Sequence, residues 1–119
     1  ETLKIPPYTE VYEIDGPYFF GIANKFDDIS RRTHSDEQKV RIIRMRKVSF
    51  IDSTGIHNLE QLYMRLQRDG IQLVLSGVNE KVFNALDKAG LVNKIGRENV
   101  RNHINGALAR AEEIVKSGD

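Results

Sequence analysis

The side chains best placed to do chemistry lie in Asp52-Ser53-Thr54-Gly55, where the β-rich stretch Val48 to Ile51 gives way to an amphipathic run. At a strand-to-helix junction the first backbone N–H groups have no intrahelical partner and the helix dipole points its positive end outward, so an anion is stabilised there. A serine hydroxyl in that position is exposed and suited to becoming a phosphate ester. Phosphorylation of Ser53 would add about −1.5 to −2 charges beside Asp52 at neutral pH, enough to expel a partner surface docked against a neutral hydroxyl. Plain capping accounts for the same residues, because Asp, Ser and Thr are favoured ahead of any helix and Gly55 relieves the turn. Both readings stand on the sequence. The candidate contact surface is the loop Asp52, Ser53, Thr54 and Gly55, with His57 following in the helix.

Other chemistry is sparse. His34, His57 and His103 fall on different expected elements, with no ligand spacing and no cysteine partner, so no metal site is expected. Asp27 and Asp28 are adjacent and would diverge by about 100° on a helix, which unsuits them as a paired acid and base. No Gly-x-Gly-x-x-Gly or Walker-type loop occurs, and no nucleophile, base and orienter set supports catalysis. Arg41, Arg44, Arg46 and Lys47 form the densest basic patch, a surface for an acidic partner or lipid headgroups if Arg44 and Arg46 share an outward face, and snorkelling surface residues if not. Pro17-Tyr18-Phe19-Phe20 puts three aromatics in a row. Alternation turns at least one of them outward as a candidate contact surface, or the run packs under the last helix.

The elements that must position these residues follow from hydrophobic period and punctuation. Val11–Ile14 and Tyr18–Gly21 read as two strands joined by Asp15-Gly16-Pro17, an antiparallel hairpin. Ala23–Ser30 reads as a short helix and Val40–Arg46 as a strand of impure alternation, which suits a sheet covered on one side. After the Asp52 junction, Ile56, Leu59, Leu62, Tyr63 and Leu66 fall on one helical stripe that Gly70 terminates. Ile71–Ser76 is a strand, and Asn79 caps a helix closed by Gly90. Leu91–Ile95 adds an edge strand or packs under the helices, and a last helix runs from about Asn99 to Lys116 with Glu112 and Lys116 as an i,i+4 pair. The expectation is an α/β fold: a small mixed β-sheet with helices packed mainly on one face.

Composition bounds the rest. The chain has 119 residues, the size of one domain, and 18 basic against 17 acidic residues give a formal charge of +1. That balance argues against a nucleic-acid partner. No apolar run approaches the roughly 20 residues of a membrane-spanning helix, so direct membrane insertion of this stretch is not expected. Zero cysteines fit a reducing compartment.

Two blocks carry a resemblance. Val48-Ser49-Phe50-Ile51-Asp52-Ser53-Thr54-Gly55-Ile56-His57-Asn58-Leu59 and Ile14-Asp15-Gly16-Pro17-Tyr18-Phe19-Phe20-Gly21-Ile22-Ala23 together resemble the STAS domain at the cytoplasmic C-terminus of SulP-family sulfate-type anion permeases. The first block is shared with the bacterial anti-sigma factor antagonists, in which the serine after the aspartate is the kinase target; Ser53 occupies that position. The resemblance implies the STAS fold over residues 1–119, with an ordered core at about 8–116, as one domain excised from a larger membrane transporter; the absence of an initial methionine agrees. It implies no catalysis and a regulatory role at the cytoplasmic face of the inner (plasma) membrane, through contacts with the transporter's transmembrane part or a soluble protein. Alternatives are a free-standing antagonist switched at Ser53 and a small nucleotide-binding module. Some relatives bind nucleotides near this loop, although here no phosphate-cradling glycine loop supports a cofactor.

Overall fold

Val40-Arg41-Ile42-Ile43-Arg44 carries the β-branched density of a central strand, and it lies at the centre of the sheet. The computed structural model describes residues 3–19 and 38–117. In chain order these form β1 (Thr9–Glu13), β2 (Tyr18–Phe19), β3 (Val40–Arg44), β4 (Phe50–Ile51), α1 (Ser53–Arg68) and β5 (Gln72–Ser76). α2 (Glu80–Lys88), α3 (Leu91–Ile95), a single 3₁₀ turn (Arg97–Asn99) and α4 (Ile104–Ser117) complete the described chain. The expected helix over Ala23–Ser30, together with Phe20, Gly21, Asp27, Asp28 and His34, lies outside the described residues.

β1, β3 and β5 make a three-stranded sheet in the order β1-β3-β5, with Thr9 opposite Val40 and Val40 opposite Gln72, both pairs parallel. β2 and β4 form a separate parallel pair, Tyr18 opposite Phe50 and Phe19 opposite Ile51. The expected antiparallel hairpin between β1 and β2 is therefore not formed, and every pairing among the described residues is parallel. The Ile14 N–H continues along β3 to the Arg44 carbonyl (3.1 Å), while the Pro17 carbonyl accepts from Ser49 (2.6 Å) and Phe50 (3.3 Å). Turn propensity at Asp15-Gly16-Pro17 loses to burial: beside β3, Tyr12 and Ile14 enter the main core with Ile43, which an isolated hairpin could not offer.

Both faces of the sheet are covered, which explains the impure alternation of β3. Ile43, Leu73 and Leu75 face α1, α2 and α3, packing on Leu59, Leu62, Leu86 and Val92. Val40, Ile42 and Val74 face the other way, against Ile104, Ala107 and Ala111 of α4. Three of the four described helices thus share one face and α4 alone closes the second.

Leu91–Ile95 is helical and buries Leu91, Val92 and Ile95. The last helix starts five residues later than expected, because the chain breaks at Gly96 (φ 108°), turns through Arg97–Asn99 and lays Val100 beside Leu75 in a parallel bridge. Asn99 fixes that break from inside: it is buried, its Nδ2 donates to the Ile95 carbonyl (2.8 Å), and its Oδ1 accepts from Arg110 Nε of α4 (2.7 Å).

Candidate functional site

Asp52 leaves β4 in extended conformation (φ −105°, ψ −174°) and caps α1, its carboxylate accepting the Gly55 N–H at 2.9 Å and its carbonyl the Ile56 N–H at 2.8 Å. Asp52 alone supplies the cap, so the neighbouring Ser53 and Thr54 are exposed on the first turn. Capping accounts for Asp52 and leaves the two hydroxyls unexplained.

Gly55 is needed for room, not for turn freedom. Its φ is not positive, and a Cβ there would sit 2.4 Å from the Phe19 carbonyl oxygen and 2.8 Å from Ile51 Cγ1. β2 therefore lies directly over the start of α1. The blocks 14–23 and 48–59, far apart in sequence, meet here through the β2–β4 pairing. Phe19 is 1% exposed and serves the core, whereas Pro17 is exposed at the rim. The side chains of Tyr18 and Phe20 lie outside the described residues.

Asn79 adds a second clamp that sequence reasoning missed. Its Oδ1 caps α2 through the Val82 N–H (2.7 Å), as expected, while its Nδ2 donates to the Val48 carbonyl (3.0 Å) and ties the lead into β4 to the start of α2. A cap signal was visible, but nothing in the sequence marks this second bond. α1 and α2 thus begin together at the end of the sheet where the parallel strands terminate.

The remaining candidates separate. His57 is exposed on α1 near Glu60, whose carboxyl is held below the ordinary value of 4.5 by the Lys94 hydrogen bond and charge, with a smaller contribution from His57. His103 has a structural role, its Nδ1 accepting the Asn105 N–H (3.1 Å) at the start of α4. Among the described residues, no group of three or more His, Cys, Asp or Glu could hold a metal, and no helix is long and apolar enough to cross a membrane.

The basic patch is largely matched by the acids of β1 and the loop after it. The β1–β3 register sets Glu10 opposite Arg41; Arg41 pairs with Glu10 at 2.8 Å and lies 4.9 Å from the Tyr12 ring centroid. Arg46 binds Glu13 (2.8 and 3.3 Å), and Lys47 reaches Asp15 (3.3 Å). Arg44 is buried, so it does not share an outward face with the exposed Arg46. The Arg46 hydrogen bond holds the Glu13 carboxyl below its ordinary 4.5 against the opposing effect of burial, with further help from the charges of Arg46, Lys47 and Arg44.

A family model described as the STAS domain matches residues 2–107. Sulfate transporter 1.2 of Arabidopsis thaliana is 33% identical over 98 residues, covering 73% of the chain and 15% of the transporter. A solved structure of a sulfate transporter family protein from Wolinella succinogenes superposes with TM-score 0.82 at 38% identity, covering 96% of this chain and 93% of that one. The STAS domain of a SulP transporter from Vibrio cholerae gives TM-score 0.79 at 32% identity, covering 96% and 88%. The chain spans less than a fifth of the Arabidopsis relative and of a putative Bacillus subtilis sulfate transporter, 15% and 18% of their lengths. The fold expected from sequence, a small sheet with helices mainly on one face, is that of these two solved structures.

Proposed function

The chain belongs to the STAS domain family, and on that premise we propose that it is the regulatory, non-catalytic domain of a SulP-type sulfate or anion transporter, acting at the cytoplasmic face of the plasma membrane. Its contacts are with the transporter's own membrane part or with a soluble protein, made through the loop Asp52, Ser53, Thr54 and Gly55 and the adjoining His57. One observation carries this reading: Asp52 and Gly55 are held by the cap and by β2, while Ser53 and Thr54 stand exposed between them. A rigid frame that displays two unused hydroxyls suits recognition, and a phosphate on Ser53 would alter its charge without disturbing the fold.

The electrostatics support that separation. A negative group at the first turn gains about 0.3–1 kcal/mol from the helix dipole, and Coulomb repulsion from the neighbouring Asp52 carboxylate opposes it with the same order of magnitude. A Ser53→Asp chain should therefore keep its urea midpoint, with stability within about 0.5 kcal/mol of wild type, while the same change in the intact transporter alters sulfate uptake. Unchanged uptake together with unchanged partner capture would remove the loop as the regulatory surface. Nucleotide binding has less support at this spot: the Asp52 carboxylate already takes the Gly55 N–H and sets a negative charge where a phosphate would have to sit.

A further inference from the structure

β5 leads through Val78 into α2 on one face of the sheet, whereas Val100, bridged in parallel beside Leu75 of β5, leads into α4 on the opposite face. Neighbouring parallel segments whose connections depart to opposite faces leave a crevice beyond their C-terminal ends, the place where open α/β sheets bind ligands. A groove of about 390 Å³ lies there, lined by Val78, Glu80, Phe83, Val100, Arg101 and Asn102, within the size range of small-ligand sites.

Its floor is apolar. Val78 is buried, and Phe83 and Val100 are half-buried. Its charges differ from several of their neighbours, although Lys81 beside Glu80 is likewise outside any ion pair among the described residues. Arg46, Lys47 and Arg97 each pair with a carboxylate. Arg101 instead donates its Nε to the Glu98 carbonyl (2.6 Å), which orients it, and its stem runs along Gly106 of α4. Among the described residues neither Arg101 nor Glu80 belongs to an ion pair, with each other or with anything else. One cation and one anion, both unneutralised, thus flank a single apolar floor.

We infer that this groove binds a small zwitterion bearing an apolar side chain, of the α-amino acid class. Its carboxylate pairs with the Arg101 guanidinium, its ammonium with the Glu80 carboxylate, and its side chain covers Val78, Phe83 and Val100. A plain anion meets repulsion from Glu80 and a plain cation from Arg101, so the groove selects for both charges on one ligand. The site uses none of the residues of the Asp52–Gly55 loop and stands or falls separately from the regulatory reading.

The test is an amide-shift NMR titration of the 119-residue chain with L-phenylalanine, 3-phenylpropionate and phenethylamine. L-phenylalanine should saturate in the millimolar range, as befits about a dozen heavy atoms in an open groove, moving the amides of Val78, Phe83, Val100 and Asn102. Each singly charged analogue should bind about fivefold more weakly. Arg101→Gln should erase the advantage over phenethylamine, and Glu80→Gln the advantage over 3-phenylpropionate. Both side chains are at the surface, so matched urea midpoints will show that the variants fold. Three results overturn the proposal: no saturable shift up to about 20 mM, equal affinity for all three probes, or an unchanged preference in both variants.

Discussion

Gly55→Ala tests the central feature of the site, the seating of β2 on the start of α1. The added methyl would lie 2.4 Å from the Phe19 carbonyl oxygen, roughly 1 Å inside ordinary contact. The obstacle is backbone, which cannot rotate away as a side-chain tip can. Relief must come from β2 lifting off β4, which gives up N–H bonds from Ser49 and Phe50 to the Pro17 carbonyl, or from the helix start sliding, which loosens the 2.9 Å Asp52 cap. Overpacking against a rigid neighbour costs about 3 kcal/mol and a lost backbone bond about 1 kcal/mol. The better helix propensity of alanine returns about 1 kcal/mol. The net is about 3 kcal/mol of destabilisation, or a fall in Tm of about 10 °C for a domain of this size. Gly70→Ala is the control: its φ is +77° and nothing lies within 4 Å of the added atom, so only left-handed backbone strain of about 1–2 kcal/mol applies. Urea denaturation of both variants gives the comparison. A Gly55→Ala chain within about 0.5 kcal/mol of wild type, or more stable than Gly70→Ala, would refute the seating of β2.

Asp52→Ala should cost about 1 kcal/mol through loss of the α1 cap, with Asp52→Asn close to wild type in the same urea assay. Asn99→Ala removes both bonds that join α3 to α4 and should cost about 2 kcal/mol, visible as a lower urea midpoint with an unchanged slope. The lowered Glu13 carboxyl sets a pH dependence. Because its folded value lies below 4.5, its contribution is fully present above the unfolded value and is lost as pH falls through the folded one. Stability of the wild type measured downward from pH 4.5 should therefore drop more steeply than that of Glu13→Gln; identical slopes would show that the Arg46 contact carries no net stabilisation.

What could be read from the sequence was what is local. The stripe Leu59, Leu62, Tyr63 and Leu66 is buried on α1, Asn79 caps α2, and Lys116 pairs with Glu112 at 3.2 Å, because helix period and capping act within a few residues. What failed was partnership. The Asp15-Gly16-Pro17 turn argued for a hairpin, but the partners of β1 and β2 lie about thirty residues on in β3 and β4, where no local signal reaches. The helix expected from Asn99 was periodic in its apolar residues, yet Val100 left the helix to bridge Leu75 once Asn99 had bonded the end of α3. At the site, Asp52 was legible as a cap from its type and place. Gly55 was misread as turn relief because what it accommodates, the Phe19 carbonyl, belongs to a distant segment. For the basic patch the sequence left two readings open, and the acids that pair with Arg41, Arg46 and Lys47 come from β1 and the loop after it, which the spacing of the basic residues does not show.

The single-helix cover on the second face of the sheet also bears on how the chain acquires its structure. β1, β3, α1 and β5 are all present once residue 76 has been made, and the first face can close as α2 and α3 follow. Val40, Ile42 and Val74 must wait for Ile104, Ala107 and Ala111. Until those residues are made, Val40, Ile42 and Val74 lack the α4 side chains that pack on them, and apolar surface short of its partner is what associates with other chains. A chain cut short before residues 104–117 would lose Ile104, Ala107 and Ala111 from the second face, and should be prone to aggregation instead of forming a smaller working domain.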